Sequence, residues 1–338
     1  MQNVQPQDQI KDAVSPLEAL SNALKADMSH VNKAILHNMQ ADIDLIPQIA
    51  SYLIASGGKR LRPLLTLACT RIYDEATNRP HGLAASVEFI HTATLLHDDV
   101  VDESEERRGK KTANLVFGNQ ASVLVGDFLF SRAFQLMVAD GSLDVLRILS
   151  EASAIISAGE VKQLAIAGDL SSTVEDYIDV AGSKTAALFA AACEIGPVIA
   201  EQNADQTKAM RDFGYNLGIA FQIADDVLDY SAEQAKLGKT VGDDFAEAKM
   251  SLPIILAMTD PSDEDRAFWE RTIAEKNQTP DDLQTSQDIL ARTGALDRGM
   301  DMAKDYGTKA LDALSKVPSS DLTDMLKDIV DFTITRDY

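Results

Sequence analysis

Apolar residues recur at three- and four-residue spacing from one end of the chain to the other, while alternating strand-like runs are hard to find; the pattern predicts a protein built of α-helices. It predicts helices over 16–40, 42–56, 60–74, 80–103, 113–139, 142–168, 173–200, 204–230, 248–258, 263–275, 280–293, 296–315 and 320–335. Start signals accompany several of them. Ser172 with Glu175, and Ser231 with Gln234, have capping-box spacing, and Thr279 sets a cap residue before Pro280, a residue suited to the first helical position. Two segments interrupt the periodicity, 104–112 (SEERRGKKT) and 236–247 (KLGKTVGDDFAE). Both are charged, contain glycine and follow an aspartate-rich helix end, which is where a lid over a site is expected.

The 338 residues are 45% hydrophobic and 25% charged, enough apolar material for a sizeable core. With no low-complexity tract and no obvious linker, the chain reads as one helical domain over 1–338. Lys and Arg total 31 against 53 Asp and Glu, a net charge of −22, which argues against a nucleic-acid partner but leaves phosphate substrates open through metal ions and local cations. Cys69 and Cys193 lie far apart among apolar neighbours and read as small core residues in a reducing cytoplasm. The first residues are polar, unlike a signal peptide, and no stretch reads as a bilayer span of about 20 apolar residues, so a soluble cytoplasmic protein is expected.

The chemistry enters with an internal echo. His97-Asp98-Asp99-Val100-Val101-Asp102 returns 127 residues later as Ala224-Asp225-Asp226-Val227-Leu228-Asp229. Each copy ends an otherwise apolar helix, with its first and fifth residues one turn apart on one face. Three carboxylates there oppose the helix dipole and repel one another. Two exposed acidic helix ends would tolerate that. Two clusters facing across a helical cavity would use it, because Mg²⁺ takes one or two carboxylates together with substrate phosphate oxygens.

Cations complete the pattern. Gly57-Gly58-Lys59-Arg60-Leu61-Arg62-Pro63 joins a glycine turn to a helix start, with Lys59 and Arg62 on one side of the first turn, suited to an anion that arrives without its own metal. Arg107 and Arg108 follow the first cluster and Lys239 follows the second; Lys184-Thr185 sits between apolar residues, where the lysine either snorkels or faces a leaving group.

Taken in order, GGKRLRP, EFIHTATLLHDDVVDESEERRGK, GSKTAALFAAACEIG, FQIADDVLDY and GKTVGDDFAEAKMSLP resemble the trans-isoprenyl diphosphate synthases over residues 50–260, and most of all the bacterial octaprenyl to decaprenyl branch. The resemblance implies an all-α bundle around a central apolar cavity, with the C-terminal helices of 263–335 in the same domain. It implies a Mg²⁺-dependent prenyltransferase, with three ions in the loaded site, that adds isopentenyl diphosphate to a farnesyl or geranylgeranyl primer to make chains of the kind used for quinone side chains. Carried over residue by residue, Lys59, Arg62, His91 and Arg108 match the isopentenyl diphosphate contacts. Arg107, Lys184, Lys239 and Lys249 match the allylic diphosphate contacts. Asp98, Asp102 and Asp225 match the metal ligands, with Asp99, Asp226 and Asp229 as supporting carboxylates of the same metal site. Thr185 and Gln222 match polar groups near the nascent carbocation. A homodimer and a transient membrane contact for product release are also implied.

A helical wheel from Asp98 puts Thr94, His91, Ile90, Val87 and Leu83 on one N-terminally running face, with Phe89 opposite. The family resemblance points to Ala93 and Thr94 as the chain-length positions; both are small, which predicts a long product. A farnesyl or geranylgeranyl synthase is the shorter-chain alternative, and a non-catalytic subunit of a heteromeric synthase the alternative of another class. A terpene cyclase is disfavoured by the second DDxxD copy, a di-iron oxidase by the absence of a partner for Glu88-x-x-His91, and a P-loop reading of Gly238-Lys239-Thr240 by Glu233, which stands where the earlier glycine would be.

Overall fold

The computed structural model describes residues 14–55, 58–74, 76–107, 109–231 and 241–335. The chain folds as helices α1 (Pro16–Ala23), α2 (Lys25–Asn38), α3 (Leu45–Ala55), α4 (Leu61–Arg71), α5 (Arg79–Val101), α6 (Ala113–Phe117), α7 (Asn119–Asp140) and α8 (Leu143–Ile166). These are followed by α9 (Val174–Ala181), α10 (Ala187–Ile199), α11 (Ala204–Asp229), α12 (Asp243–Ala246), α13 (Leu252–Ala257), α14 (Asp263–Trp269), α15 (Asp282–Arg292), α16 (Ala295–Leu314) and α17 (Asp321–Thr335). Among the described residues the only strands are β1 (Glu106–Arg107) and β2 (Lys110–Lys111), an antiparallel pair. The expected all-helical class holds.

Most helices start and end near the residues that periodicity predicts, and the differences have local causes. The run over 16–40 is interrupted at Leu24 (φ −102°, ψ 17°), dividing α1 from α2. The run over 113–139 is broken at Gly118, whose φ of 89° is open to a residue without a Cβ. The cap of α9 is Thr173, which forms a capping box with Asp176, one residue beyond the expected Ser172 and Glu175. Thr279 does not cap α15: Asp281 is the N-cap, and the Thr279 N–H donates to Asp282 at 2.6 Å. The Ser231–Gln234 pair extends outside the described residues. In 104–112 the β1–β2 turn uses Gly109 at φ 72° and sets Glu106 opposite Lys111, a favourable cross-strand charge pair.

The bundle is organised around two long helices that carry the aspartate clusters. α5 runs beside α7, and α11 packs against α10 and α16. One apolar cluster joins α4, α5, α7, α8 and α10, including Leu83, Val87, Ile90 and Phe213; another gathers around the last turns of α11, α13 and α16, including Ile223, Trp269 and Ala303. Cys69 and Cys193 are free thiols buried in the first cluster, as core residues should be.

α7 differs from expectation. It is 22 residues long and contains an 18-residue window with a mean hydropathy of 1.4, so it is apolar enough, by length and composition alone, to cross a membrane, where no such stretch was expected. One side of it packs on α5, where Ser122 donates to the Leu96 carbonyl at 3.0 Å and Ser86 donates to the Ala133 carbonyl at 3.0 Å. Its other side leaves Leu124 and Val138 exposed.

Candidate active site

The ends of α5 and α11 open onto one cavity of ≈ 940 Å³. Asp98 and Asp102 line it from α5, and Asp225, Asp226 and Asp229 from α11, so the two sequence clusters do converge. Arg60, Arg62 and Lys59 line it from the start of α4, and Lys184, Thr185 and Gln222 from its far wall, with Phe189 and Phe221 contributing apolar surface. The expected residues Arg108 and Lys239 lie outside the described residues, as does Gly57.

Three of the six carboxylates also hold neighbouring segments in place. Asp99 is 1% exposed and accepts from Arg107 Nε at 2.8 Å and Nη2 at 2.7 Å, so the second aspartate of the first cluster holds the β1–β2 hairpin. Asp229 accepts from the backbone N–H groups of Gly242, Asp243 and Asp244 at 3.1, 3.2 and 3.0 Å, which folds the later segment back towards the cavity and adds Asp243, Asp244 and Glu247 to its lining. Asp226 is buried, accepting from Tyr177 Oη and Gln222 Nε2, both at 2.7 Å. Asp98, Asp102 and Asp225, the first and fifth residues of the first cluster and the first of the second, line the cavity with Asp226 and Asp229.

Lys184 and Thr185 do not sit in a regular α-helix. They lie in a π-helical turn, Gly182–Ala186, between α9 and α10, the kind of local widening that recurs at functional sites. Gly159 of α8 makes the approach possible, since a Cβ there would lie 2.6 Å from Ser183 Cβ. Lys184 Nζ thereby reaches Glu160 and Gln163 at 2.8 Å each and lies 3.8 Å from Asp98. At the cavity's other side, Arg62 is 3.2 Å from His91 and stacks 4.5 Å above the Phe189 ring, while Arg60 pairs with Glu88 at 3.2 Å. Lys249 bridges Asp102 at 3.2 Å and Glu247. Arg60, Glu103 and Ala248, all at or beside these motifs, have φ near +50°, a conformation that costs non-glycine residues energy and that the surrounding contacts hold in place.

The electrostatics favour a bound cation. Among the described residues, eleven carboxylate side chains line the cavity against six lysines and arginines. Burial pushes the Asp98 carboxyl up to about 7 despite the neighbouring Lys184, and burial pushes Asp226 up to about 7 despite the hydrogen bonds from Tyr177 and Gln222. Burial together with Asp226 and Asp229 raises Asp244 well above the carboxylate range. The donors are hard carboxylate oxygens, the type that Mg²⁺ prefers. Among the described residues no three His, Cys, Asp or Glu side chains converge on one preformed point. That also fits Mg²⁺, which needs few protein ligands when phosphate oxygens supply the others.

Thr94 lines the cavity one turn before Asp98, whereas Ala93 is fully buried in the core, as the helical wheel predicts. Below Thr94 the stripe of Ile90, Val87 and Leu83 is closely packed. Sequence reasoning did not single out Glu160, Tyr177, Phe189, Phe221, Asp243, Asp244 or Glu247. The acidic pair after Gly242 was visible inside the second charged segment. Tyr177 carried no local signal, because its partner Asp226 is 49 residues away.

Known proteins bear on this geometry directly. The sequence profile of the polyprenyl synthetase family matches residues 43–290. The octaprenyl diphosphate synthase of Escherichia coli (strain K12) is 42% identical over 321 residues, covering 95% of this chain and 99% of the relative. That of Haemophilus influenzae is 40% identical over 330 residues, covering 97% and 99%. The polyprenyl synthase of Caulobacter crescentus CB15, crystallised with calcium and isoprenyl diphosphate, superposes with a TM-score of 0.92 at 46% identity, covering 96% of this chain and 99% of that one. The decaprenyl diphosphate synthase of Rhodobacter capsulatus gives 0.91 at 46% identity, covering 94% and 98%. With nearly full-length similarity added to twin aspartate clusters on one cavity, the chain belongs to the polyprenyl synthetase family and is a prenyltransferase.

Proposed function

We propose that the protein is a long-chain trans-polyprenyl diphosphate synthase that condenses isopentenyl diphosphate, unit by unit, onto an allylic diphosphate until octaprenyl-to-decaprenyl length is reached. The observation that carries this reading is the shared cavity, in which two DDxxD clusters, a set of cations and an aromatic wall meet. The octaprenyl and decaprenyl diphosphate synthases among the relatives support the product class.

In this reading Lys59, Arg62 and His91, with Arg108, hold the isopentenyl diphosphate, and Lys184 and Lys249, with Arg107 and Lys239, hold the allylic diphosphate. Asp98, Asp102 and Asp225 hold Mg²⁺, three ions in the loaded site, while Asp99, Asp226 and Asp229 keep the surrounding segments in register. Bound Mg²⁺ supplies Lewis-acid stabilisation of the charge that builds on the leaving diphosphate. The allylic carbon–oxygen bond breaks with its electron pair going to the diphosphate, and the cations of the chain meet that charge as it develops. The π electrons of the isopentenyl double bond then form the new carbon–carbon bond to the allylic cation. The adjacent proton leaves to the released diphosphate, the nearest strong acceptor. Thr185 offers its hydroxyl oxygen to the transient cation, with Gln222 hydrogen-bonded behind it as the second polar group near the cation, and Phe189, Phe221 and the folded-back 241–247 segment keep water from trapping it.

The whole chain is read as a single domain, because α11 contributes side chains to both apolar clusters. The exposed stripe Val123, Leu124, Phe134 and Val138 on α7 supports a homodimer formed through that face. Cytoplasmic residence with transient membrane contact for release of a very apolar product completes the proposal. The test is purified protein with farnesyl diphosphate, labelled isopentenyl diphosphate and Mg²⁺, with and without chelator, followed by product chromatography. Products of octaprenyl to decaprenyl length that require the metal support the reading; chains that stop at farnesyl or geranylgeranyl length, or activity that survives chelation, overturn it.

A further inference from the structure

Four side chains from three elements form an unbroken hydrogen-bonded chain that ends in the cavity. Tyr177 Oη on α9 donates to Asp226 Oδ2 at 2.7 Å. Gln222 Nε2, one turn earlier on α11, donates to Asp226 Oδ1 at 2.7 Å. Thr185 Oγ1 in the π-helical turn donates to Gln222 Oε1 at 2.7 Å. Tyr177, Thr185 and Asp226 are all less than 10% exposed.

The direction of each bond is forced by its neighbour. In its ionised form Asp226 only accepts, so one oxygen accepts the hydrogen bond from the Tyr177 phenol and the other that from the Gln222 NH₂. The Gln222 amide is thereby oriented with its carbonyl towards Thr185. That carbonyl also only accepts, so the Thr185 hydroxyl proton is committed to it. What Thr185 presents to the cavity is then a pair of lone pairs, the negative end of its dipole. Without the fixed acceptor at Asp226 the amide is free to turn over; its NH₂ would then face Thr185, which would accept, and the hydroxyl proton would swing outward. The same residues would then offer the positive end of the dipole to the same place.

We infer that Tyr177 is a positioning residue for prenyl transfer: acting through Asp226, it locks the Gln222 amide and so sets the sign of the dipole that Thr185 turns towards the transient allylic cation. The inference rests on the proposed function, because it concerns a cation that only that chemistry generates. Preorganised dipoles of the right sign are worth most in a water-poor site, where the alternative is not rescued by solvent. Tyr177 touches no substrate in this scheme, and its effect travels only through Thr185.

The test is a double-mutant cycle of Y177F and T185V in the full-length protein. Steady-state rates are measured with farnesyl diphosphate, isopentenyl diphosphate and Mg²⁺. Y177F is expected to lower kcat about tenfold while leaving KM for both diphosphates within about twofold. In the T185V background the same substitution is expected to change kcat by less than about twofold, since no dipole remains to orient. Thr185→Ser, which keeps the hydroxyl, is expected to restore sensitivity to Y177F. Equal loss in both backgrounds, or a wild-type kcat in Y177F, overturns the inference. If Y177F does not fold, the cycle of D226N with T185V, which frees the amide without touching α9, reads the same coupling, and additivity there overturns the inference as well. A wild-type protein with no prenyl transfer would instead remove the proposed function, so the two failures are distinct.

Discussion

Lys249 Nζ lies 3.2 Å from Asp102 Oδ2, tying the segment that follows the second aspartate cluster to the last carboxylate of the first. Burial opposes charge on this lysine, but Asp244, Asp102 and Glu247 outweigh it and hold the ammonium above its usual range. A single cation therefore sits where the two halves of the site meet. Lys249→Met removes it and leaves Asp102 and Asp244 short of positive charge. The expected outcome is a kcat/KM for the allylic diphosphate lowered about a hundredfold and a higher Mg²⁺ concentration for half-maximal rate, both read from initial-rate titrations.

The metal prediction separates cavity carboxylates from scaffold carboxylates. Asp98→Asn and Asp225→Asn are each expected to lower kcat by about 10³-fold or more with little change in Tm. Asp99→Asn leaves Arg107 without its buried partner, so it is expected to lower Tm as well as activity. Thermal unfolding alongside Mg²⁺-dependent rates distinguishes the two groups; equal Tm losses in all three variants would contradict the division.

Chain length is expected to respond to Thr94, which faces the cavity, more than to Ala93, which faces the core. Thr94→Phe fills space that the growing chain needs and is expected to shift products to farnesyl or geranylgeranyl length. Ala93→Phe overpacks a closed site and is expected to cost stability, by about 1–3 kcal/mol. Product chromatography and denaturant unfolding check the pair.

The exposed face of α7 gives a test of assembly. Leu124→Asp with Val138→Asp sets charge on the stripe proposed to meet a second copy, at positions 67% and 65% exposed. The double variant is expected to elute as a monomer in gel filtration with multi-angle light scattering, while the parent elutes as a dimer.

One pH dependence is independent of the site. Asp27 on α2 accepts from Arg71 at 2.6 and 3.0 Å and pairs with His81 at 2.6 Å, joining α2 to α4 and α5. The hydrogen bonds from Arg71 hold its carboxyl at about 2, below the ordinary 3.8, although burial pushes the other way. The folded state thus favours the deprotonated form. Its stabilisation is complete above the ordinary carboxylate range and is lost as pH falls towards about 2. Asp27→Asn is expected to cost ~1–2 kcal/mol at neutral pH, after allowing for solvent screening, and to flatten the acid limb of stability. Denaturant unfolding between neutral pH and strong acid measures both.

Periodicity alone determined the helical class and nearly every helix, because each long helix must bury one face and so writes a three-to-four residue spacing into the chain. The paired clusters were equally legible, since three aspartates within one turn and a half conflict with local helix energetics unless something else uses them. Tertiary structure alone decided which neighbouring segment each of these aspartates holds. Asp99 is tied to Arg107 in the hairpin, Asp229 to three amides of the 242–244 segment, and Asp226 to Tyr177. The same is true of the π-helical turn that aims Lys184 and Thr185, which depends on the close approach allowed by Gly159 on another helix. A repeating pattern is a property of one segment, whereas a hydrogen-bond partner is a property of two, and only folding brings the second one into range.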